Sequence, residues 1–392
     1  MSMKQRLLYF VLTLFLTALL GLILAGSLQN ASRAAGPVCI VDSAGGGGVD
    51  YTTIGAAVAD AGCTTINVAA GVYNENITID RDLTLQGASA GVTVIDGNGQ
   101  VTHQRVMSIT LGQNVSIADV TIQHGYAVSP THGGGGISNR GALTLTSVIL
   151  THNEVTGTLS SDIGGAISPG GVGGGRLVME NCVVSHNTAD RGGGIFFNSM
   201  AWITNTLIYS NTARSGGGIS NYGTMMLTNV TLSDNYVSIN GGGIRNDGQA
   251  TIVNSTIAAN HGRGVSDFDA ITLTNTILAD NFPDNCSGAI ASAGYNLDSG
   301  TSCGLGATGD ITDTNPLLGP LQDNGGPSWT HVLLPGSPAI DEGTNTGCPA
   351  TDQRGVSRPL DGDGDNTATC DIGAYEFDLV NNLYLPLALR NN

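Results

Sequence analysis

The sequence predicts an all-β solenoid, a coil of short parallel strands stacked turn upon turn. Three patterns recur with a common period of about 24 residues. One is a glycine run followed by isoleucine, ending at Ile137, Ile167, Ile195, Ile219 and Ile244. The others are two asparagine series, a first one at Asn181, Asn205, Asn229, Asn254 and Asn275, and a second one at Asn153, Asn187, Asn211, Asn235, Asn260 and Asn281. Patterns locked to one period are typical of repeats that bury their apolar faces against each other.

Each repeat consists of strands rather than helices, because its apolar residues alternate with polar ones. Leu143-Thr-Leu145 and Ile271-Thr-Leu273 show this period of two,. A unit of about 24 residues accommodates three strands and three turns but is too short for a helical crossover,. We expect residues 66 to 300 to form about ten such coils.

The asparagines are interpreted as structural. An inward asparagine at a turn hydrogen-bonds to the same residue in the coils above and below, which forms a ladder. We expect the first series, Asn181, Asn205, Asn229, Asn254 and Asn275, to form this ladder and to have no chemical role.

The glycine-isoleucine and asparagine pattern resembles the right-handed parallel β-helix class, the pectin-lyase-like fold, and in particular the repeats of bacterial polymorphic outer-membrane proteins. The resemblance covers roughly residues 66 to 300. It implies the fold but no particular activity, because this fold hosts lyases, hydrolases, adhesins and passive surface proteins.

The N-terminus reads as a signal peptide over residues 1 to 35, followed by a cap over 36 to 65. Lys4 and Arg6 precede an apolar run over residues 7–25, with cleavage after Ser27 or Ala34, or an uncleaved anchor as the alternative,. A short amphipathic helix begins near Asp50, ends at Gly62 and is expected to cover the open end of the first coil,.

The seven cysteines indicate an oxidising destination,. Cys39 with Cys63, Cys286 with Cys303, and Cys348 with Cys370 are predicted as three local disulfides, although the sequence leaves other pairings open,. The seventh, Cys182, has no predicted disulfide partner. It is interpreted as a structural thiol, because no basic residue that could activate it recurs beside it in the repeat,.

The repeat stops near residue 300, and motifs such as Asp352-Gln-Arg-Gly355 and Cys370-Asp-Ile-Gly-Ala-Tyr-Glu-Phe377 follow. Residues 301 to 378 resemble the choice-of-anchor C-terminal module of secreted bacterial β-helix proteins, which implies secretion and implies no catalysis. The tail, 379 to 392, is short and apolar, and is interpreted either as a sorting signal or as a final capping strand,.

Asp361, Asp363 and Asp365 are spaced two apart, as in the first half of a calcium loop,. The glycine and glutamate of a complete loop are replaced by Asn366 and Ile372. Calcium is therefore the one cofactor that the sequence suggests, with a solvated acidic turn as the alternative.

Charge restricts the partners. Without residues 1 to 35, which include Lys4, Arg6 and Arg33, the chain has 11 basic against 31 acidic residues. Such a surface repels nucleic acid and anionic membranes. A membrane partner is expected only through an uncleaved signal segment or a sorting tail.

A glycan is the favoured partner. Trp202 is predicted to stand on a flat sheet face between Val178 and Met226, where an indole can stack on sugar, and Arg191 and Arg214 lie in turns before successive glycine runs,. The alternative for Trp202 is a packing contact. His152 and His186 are interpreted as turn residues.

The favoured function is that of a secreted or cell-surface protein that binds neutral extracellular glycan or mediates adhesion without catalysis. The first alternative is a polysaccharide lyase or glycoside hydrolase of the pectate-lyase class, and the second is a passive structural protein. A lyase of this class needs carboxylates on adjacent coils, and none was found at the repeat positions, where Asp234 and Asp280 lie two coils apart,. No catalytic residue is assigned.

Overall fold

The computed structural model describes residues 37–128, 133–157, 163–170 and 174–379. These residues form the predicted right-handed parallel β-helix, with four parallel sheets along its axis and one antiparallel pair of strands near the C-terminus. The signal segment and residues 380–392 of the tail lie outside the described residues. None of the helices in the described ranges is long and apolar enough to cross a membrane.

The first and second sheets each contain eleven parallel strands. The first sheet comprises Val38–Val41, Thr65–Val68, Leu83–Gly87, Asn114–Ala118, Ala142–Thr146, Leu177–Glu180, Met200–Thr204, Thr224–Thr228, Gln249–Val253, Ala270–Thr274 and Ile290–Ser292. The second sheet comprises Gly71–Asn74, Thr93–Asp96, Thr121–Gln123, Ile149–Thr151, Val183–Ser185, Leu207–Tyr209, Thr231–Ser233, Thr256–Ala258, Ile277–Ala279, Leu297–Asp298 and Ile311–Thr312.

Two further parallel sheets complete the coils. The third sheet comprises Ile77–Ile79, Met107–Ile109, Ile137–Asn139, Ile167–Ser168, Ile195–Phe197, Ile219–Asn221, Ile244–Asn246, Val265–Asp267 and Cys286–Ser287. The fourth sheet comprises Tyr126–Val128, Glu154–Thr156, Thr188–Arg191, Thr212–Ser215 and Tyr236–Asn240. Leu318–Gln322 and Thr330–Leu333 form the antiparallel pair.

The core consists of columns of identical or similar side chains. The isoleucines that end the glycine runs pair in register and are buried: Ile137, Ile167, Ile195, Ile219 and Ile244, followed by Val265. Burying each such side chain contributes roughly 1.5–3 kcal/mol. A register slip of one residue would turn the whole column outward, so the alternation holds the coils in alignment.

Glycine is required before these isoleucines because successive coils approach closely there. Gly192 has a φ of 62°. A Cβ on Gly193 would lie 2.5 Å from the carbonyl oxygen of Thr212 and 2.7 Å from that of Gly217. No other residue fits without separating the coils.

The second asparagine series forms a continuous buried ladder. From Asn153 to Asn281, each Nδ2 donates to the Oδ1 of the asparagine in the next coil at 2.8–3.0 Å, and the last donates to Asn285 at 2.9 Å. Each Oδ1 accepts a second hydrogen bond from a backbone N–H, as Asn211 Oδ1 does from Asn187 at 3.0 Å. The other Nδ2 proton goes to a backbone carbonyl, that of Val184 for Asn211.

The expectation that the first series forms the ladder is therefore corrected. Asn181, Asn205, Asn229, Asn254 and Asn275 all have left-handed backbones, with φ between 45° and 54°. Among the described residues, this series has only two side-chain hydrogen bonds between its own members. Asn229 donates to Asn205 at 3.0 Å, and Asn275 donates to Asn254 at 3.3 Å. These positions need asparagine because it tolerates positive φ.

The N-terminal helix spans Ile54–Ala59 and packs against the edge strand Ile77–Ile79 of the third sheet, as expected of a cap. Its N-cap is Thr53 and not Asp50, which accepts instead from the N–H of Ile40 at 2.8 Å. The helix ends before Gly62. A second helix, Gly99–Thr102, is a single turn.

All three predicted disulfides are present, with Cα separations of 5.5 Å for Cys39–Cys63, 4.8 Å for Cys286–Cys303 and 6.5 Å for Cys348–Cys370. Cys182 is free and buried. Burial raises the pKa of its thiol to about 12, so the thiol stays protonated and unreactive, as its structural interpretation requires.

The C-terminal module packs on the outer face of the last strands of the second sheet. Thr231 Oγ1 donates to Gln353 at 2.7 Å, and Thr256 Oγ1 accepts from the N–H of Ala374 at 3.1 Å. The apolar contact consists of Ala258, Ile277, Ala279 and Leu297 on the coils and Leu333, Ala339, Ile340, Ile372, Tyr375 and Phe377 on the module. The first asparagine series takes part, since Asn229 donates to the carbonyl of Thr351 at 2.8 Å.

A buried ion pair explains the charged residues among the module motifs. Arg358 lies 3.2 Å from Glu376, and neither side chain is exposed to solvent. Burial raises the pKa of Glu376 to about 7, although Arg358 acts to lower it. Arg354 lies over the ring of Tyr375 at 3.5 Å and pairs with Asp352 at 2.7 Å. These residues stabilise the module and are not exposed to a ligand.

Replacing one rung of the ladder tests its importance. Asn211→Ala should lower the free energy of unfolding by about 3 kcal/mol, because it leaves several buried polar groups unpaired. Asn181→Ala is the matched control and should lose about 1 kcal/mol, the cost of a left-handed backbone. Urea denaturation followed by circular dichroism measures both. Equal losses would contradict the assignment of the ladder.

Candidate functional site

Five exposed or half-buried rings follow one edge of the second sheet, and we call them the ring track: His124, His152, His186, Tyr209 and Trp329. Neighbouring ring centroids lie 5.8, 5.0, 5.4 and 5.9 Å apart in that order. The rings of His152 and His186 are parallel to within 3°. Trp329 is 45% exposed. Rings at such spacing form a nearly continuous row along this edge.

The coil geometry places the three histidines on this edge. Each stands at the end of a second-sheet strand with a φ of 53–55°. Asn153 and Asn187, which directly follow His152 and His186, point into the ladder, so the histidine side chains point outward. Because coils stack in register, identical positions lie above one another,. The imidazoles of His152 and His186 stack on each other, and that of His124 is tilted by 55° relative to His152.

The C-terminal module supplies the last ring of the track. Trp329 directly precedes the strand Thr330–Leu333 and contacts Tyr209. The module is held there by His331, whose Nε2 lies 2.9 Å from Ser233 Oγ and whose Nδ1 lies 2.8 Å from the carbonyl oxygen of Gly319. The module therefore covers the second sheet from the strand Leu207–Tyr209 onward.

A pocket of about 310 Å³ lies at the other end of the track. It is lined by Asn74, Asp96, Asn98, Gly99, Gln100, His124, Gly125, Tyr126, His152 and Glu154. Asp96 Oδ2 lies 2.8 Å from His124 Nδ1, and Gln100 Nε2 donates to Glu154 at 3.2 Å. The pocket thus combines two carboxylates with two imidazoles.

The protonation states in the pocket have identifiable causes. Burial acts to raise the pKa of Asp96, but hydrogen bonds from Gln123, His124 and Asn98 outweigh it and lower that pKa. Burial, followed by the neighbouring His186 and His124, lowers the pKa of His152. At neutral pH, Asp96 is ionised and His152 is neutral.

The predicted glycan-binding residues do not form one surface. Trp202 lies on the first sheet between Val178 and Met226, as expected, and Arg176 lies 5.4 Å from its ring centroid. Arg191 and Arg214 belong to the fourth sheet. Arg214 forms a bidentate pair with Asp190 at 2.7 and 3.0 Å, and Arg191 donates to the hydroxyl of Tyr222 at 3.4 Å. The intervening third sheet separates Trp202 from both arginines along each coil.

The sequence contained a signal for part of the ring track. Gln123-His124-Gly125 repeats the pattern of Thr151-His152-Asn153, but glycine replaces the asparagine that marks the repeat. Asp96 precedes the repeats that carry the asparagine pattern, and Glu154 follows Asn153 instead of preceding it. Comparing only the residues that precede the second-series asparagines therefore finds neither carboxylate. Trp329 comes from the module, and no periodicity relates it to the coils.

The acidic loop of the module brings together a different set of carboxylates from the predicted one. Ligand oxygens of Asp341, Asp361 and Asp363 lie within 4.8 Å of one another. Asp365 instead accepts the N–H of Thr367 at 2.6 Å. Burial, and to a smaller degree the carboxylate of Asp363, raises the pKa of Asp341. The donor set fits calcium, which prefers carboxylate oxygens, with Asp341 in place of Asp365.

Calcium binding remains a prediction and can be tested by melting. If calcium binds, the protein with calcium in hundredfold excess over its dissociation constant should gain about 2.7 kcal/mol. Asp361→Asn should abolish the gain, whereas the matched Asp365→Asn should retain it. Identical calorimetric melting curves with calcium and with chelator would leave the acidic turn as the correct interpretation.

Comparison with known proteins bears on the fold. No family model and no curated protein matches the chain. Among solved structures, a pectin methylesterase in complex with a hexasaccharide is 16% identical over 65% of this chain and 92% of its own, with a TM-score of 0.40. Pectin methylesterase from Aspergillus niger is 16% identical over 70% and 96%, with a TM-score of 0.40. Pectate lyase Pel9A is 14% identical over 87% and 96%, with a TM-score of 0.45. At these identities the likeness concerns the parallel β-helix fold alone.

Proposed function

We propose that this protein is secreted or displayed on the cell surface, and that it binds neutral extracellular glycan along the ring track without cleaving it. The observation that carries the proposal is the row of five rings at spacings of 5.0–5.9 Å, ending at the exposed indole of Trp329. Sugar rings present apolar C–H faces that pack on an exposed indole such as that of Trp329, and sugar hydroxyls hydrogen-bond to nitrogen atoms at the edges of imidazole rings.

The polar groups beside the rings suit a sugar as well. The amide of Gln123 and the hydroxyl of Thr151, both half-buried, stand next to the track on the ends of paired strands. Such groups both donate and accept hydrogen bonds, as sugar hydroxyls do. The acidic excess of the chain favours a neutral ligand over a polyuronate,.

The proposed location follows from the disulfides and from the module. Three disulfides suit an oxidising environment outside the cytosol,. The resemblance of residues 301 to 378 to choice-of-anchor modules supports surface display. In this arrangement the module has two roles, because it also contributes Trp329 to the proposed binding surface.

A glycan array followed by isothermal titration tests the proposal. We expect Trp329→Ala to weaken binding of the selected neutral oligosaccharide about tenfold, equivalent to about 1.4 kcal/mol. Trp202→Ala is the matched control, since it removes the other tryptophan of the chain, and should leave the affinity unchanged. Loss of binding on Trp202→Ala alone would move the site to the first sheet, as the sequence suggested.

A second candidate function, glycoside hydrolysis, is favoured by the pocket at the end of the track. Asp96 accepts from Nδ1 of His124 and so holds Nε2 of that imidazole free to take a proton from water,. Glu154 lines the same pocket and supplies the second carboxyl group of the pair that glycoside hydrolysis uses,. Lyase chemistry has less support: among the described residues, the one cluster of three metal-ligating side chains lies on the module.

Cleavage assays separate these functions. We expect purified protein to release no unsaturated uronides from polygalacturonate with added calcium, and no reducing ends from the neutral polysaccharide it binds. Reducing ends that disappear with Glu154→Gln, but persist with the exposed control Glu180→Gln, would establish hydrolysis instead. Unsaturated products abolished by a single Asp or Arg substitution would establish a lyase.

A further inference from the structure

Three of the five rings in the track are imidazoles. His124, His152 and His186 occupy the same position in three successive coils and are exposed. The unperturbed pKa of histidine, about 6.5, lies within the range of pH that many environments reach. A ligand that packs on these rings therefore meets a surface whose charge depends on pH.

The stacked arrangement opposes protonation of more than one ring. The centroids of His152 and His186 are 5.0 Å apart with parallel planes, and His124 follows at 5.8 Å from His152. Two imidazolium ions at such a distance repel each other. Burial together with the two neighbouring histidines already lowers the pKa of His152.

The groups around the histidines define the change of charge. Asp96 pairs with His124, and Glu154 lines the same pocket. His152 Nδ1 contacts the hydroxyl of Thr151 at 2.9 Å, and the next coil contributes His186 with Tyr209 against it. With neutral imidazoles this end of the track carries the two carboxylate charges. With three imidazolium ions it carries one net positive charge.

We propose that protons regulate glycan binding, the stacked His152 and His186 presenting an aligned row of ring edges to the sugar when neutral and separating when protonated. This inference rests on the proposed function. A neutral imidazole has one ring nitrogen that accepts a hydrogen bond from a sugar hydroxyl, and a protonated one has two donors and no acceptor. Repulsion between two charged rings also breaks the alignment that makes the track continuous from the pocket to Tyr209. The bound glycan is released on acidification.

Titration calorimetry with a neutral hexasaccharide, cellohexaose, at about pH 8 and about pH 5 tests the regulation across the pKa of histidine. We expect the affinity of the wild-type chain to fall about tenfold at the lower pH. The double variant His152→Phe/His186→Phe keeps flat rings that cannot be protonated and should bind equally at both pH values. His261→Phe, an exposed histidine away from the track, is the control and should behave as wild type.

The left-handed backbone at both positions disfavours phenylalanine, so a second variant, His152→Gln/His186→Gln, is measured in parallel. It should bind more weakly than wild type at the higher pH and show no further loss at the lower one. A second measurement needs no ligand. In a Trp202→Phe background, Trp329 is the remaining tryptophan, and its fluorescence should change with pH only while His152 and His186 are present.

The possible outcomes distinguish failure of the pH regulation from failure of the proposed glycan binding. Binding that weakens equally with pH in wild type and in both double variants overturns the regulation and leaves glycan binding intact. Binding that strengthens at low pH also overturns it. Absence of binding to cellohexaose and to every neutral glycan of the array, at both pH values, overturns the proposed function and the regulation together.

Discussion

A buried carboxamide in each coil from Asn153 to Asn281 hydrogen-bonds to the carboxamide of the next coil, and the remaining architecture depends on this ladder. From Asn187 onward every Oδ1 accepts two hydrogen bonds, and each Nδ2 donates to both the next rung and a backbone carbonyl. Aspartate cannot donate, and glutamine is one methylene too long. The ladder satisfies the polar backbone at a sharp turn that would otherwise expose unpaired groups to an apolar interior.

The ladder also determines what happens on the outside of the same turn. When the asparagine points inward, the residues on either side of it point outward, and they do so at the same place in every coil. His124, His152 and His186 consequently form a stack without any contact designed specifically between them. A parallel β-helix thereby converts a repeated sequence position into a linear surface feature, and the same property makes such a surface suitable for an extended ligand.

The C-terminal module changes the role of several repeat positions. In the middle coils, the outer ends of second-sheet strands and the asparagines of the first series are turn and surface residues. In the last coils, Thr231, Thr256 and Asn275 contact the module, so the same positions become buried. This contact covers the apolar outer face around Ile277. It also brings Trp329 against Tyr209 and so sets the length of the ring track.

The sequence by itself determined the parallel coil, the capping helix and the outward position of Trp202, because period and alternation encode them directly. Local spacing suggested the three disulfide pairs but left other pairings open. The sequence did not distinguish the two asparagine series, since both recur with one period and only the backbone φ shows which side chain points inward. It grouped Trp202 with Arg191 and Arg214, which the coil places on different sheets. Only the tertiary structure showed that Asp341, and not Asp365, lies with Asp361 and Asp363, and that Trp329 contacts Tyr209. In both cases the residues come from segments that no repeat relates. The pocket at Asp96 and Glu154 likewise depends on three-dimensional stacking, since its two carboxylates come from coils whose sequences lack a common marker.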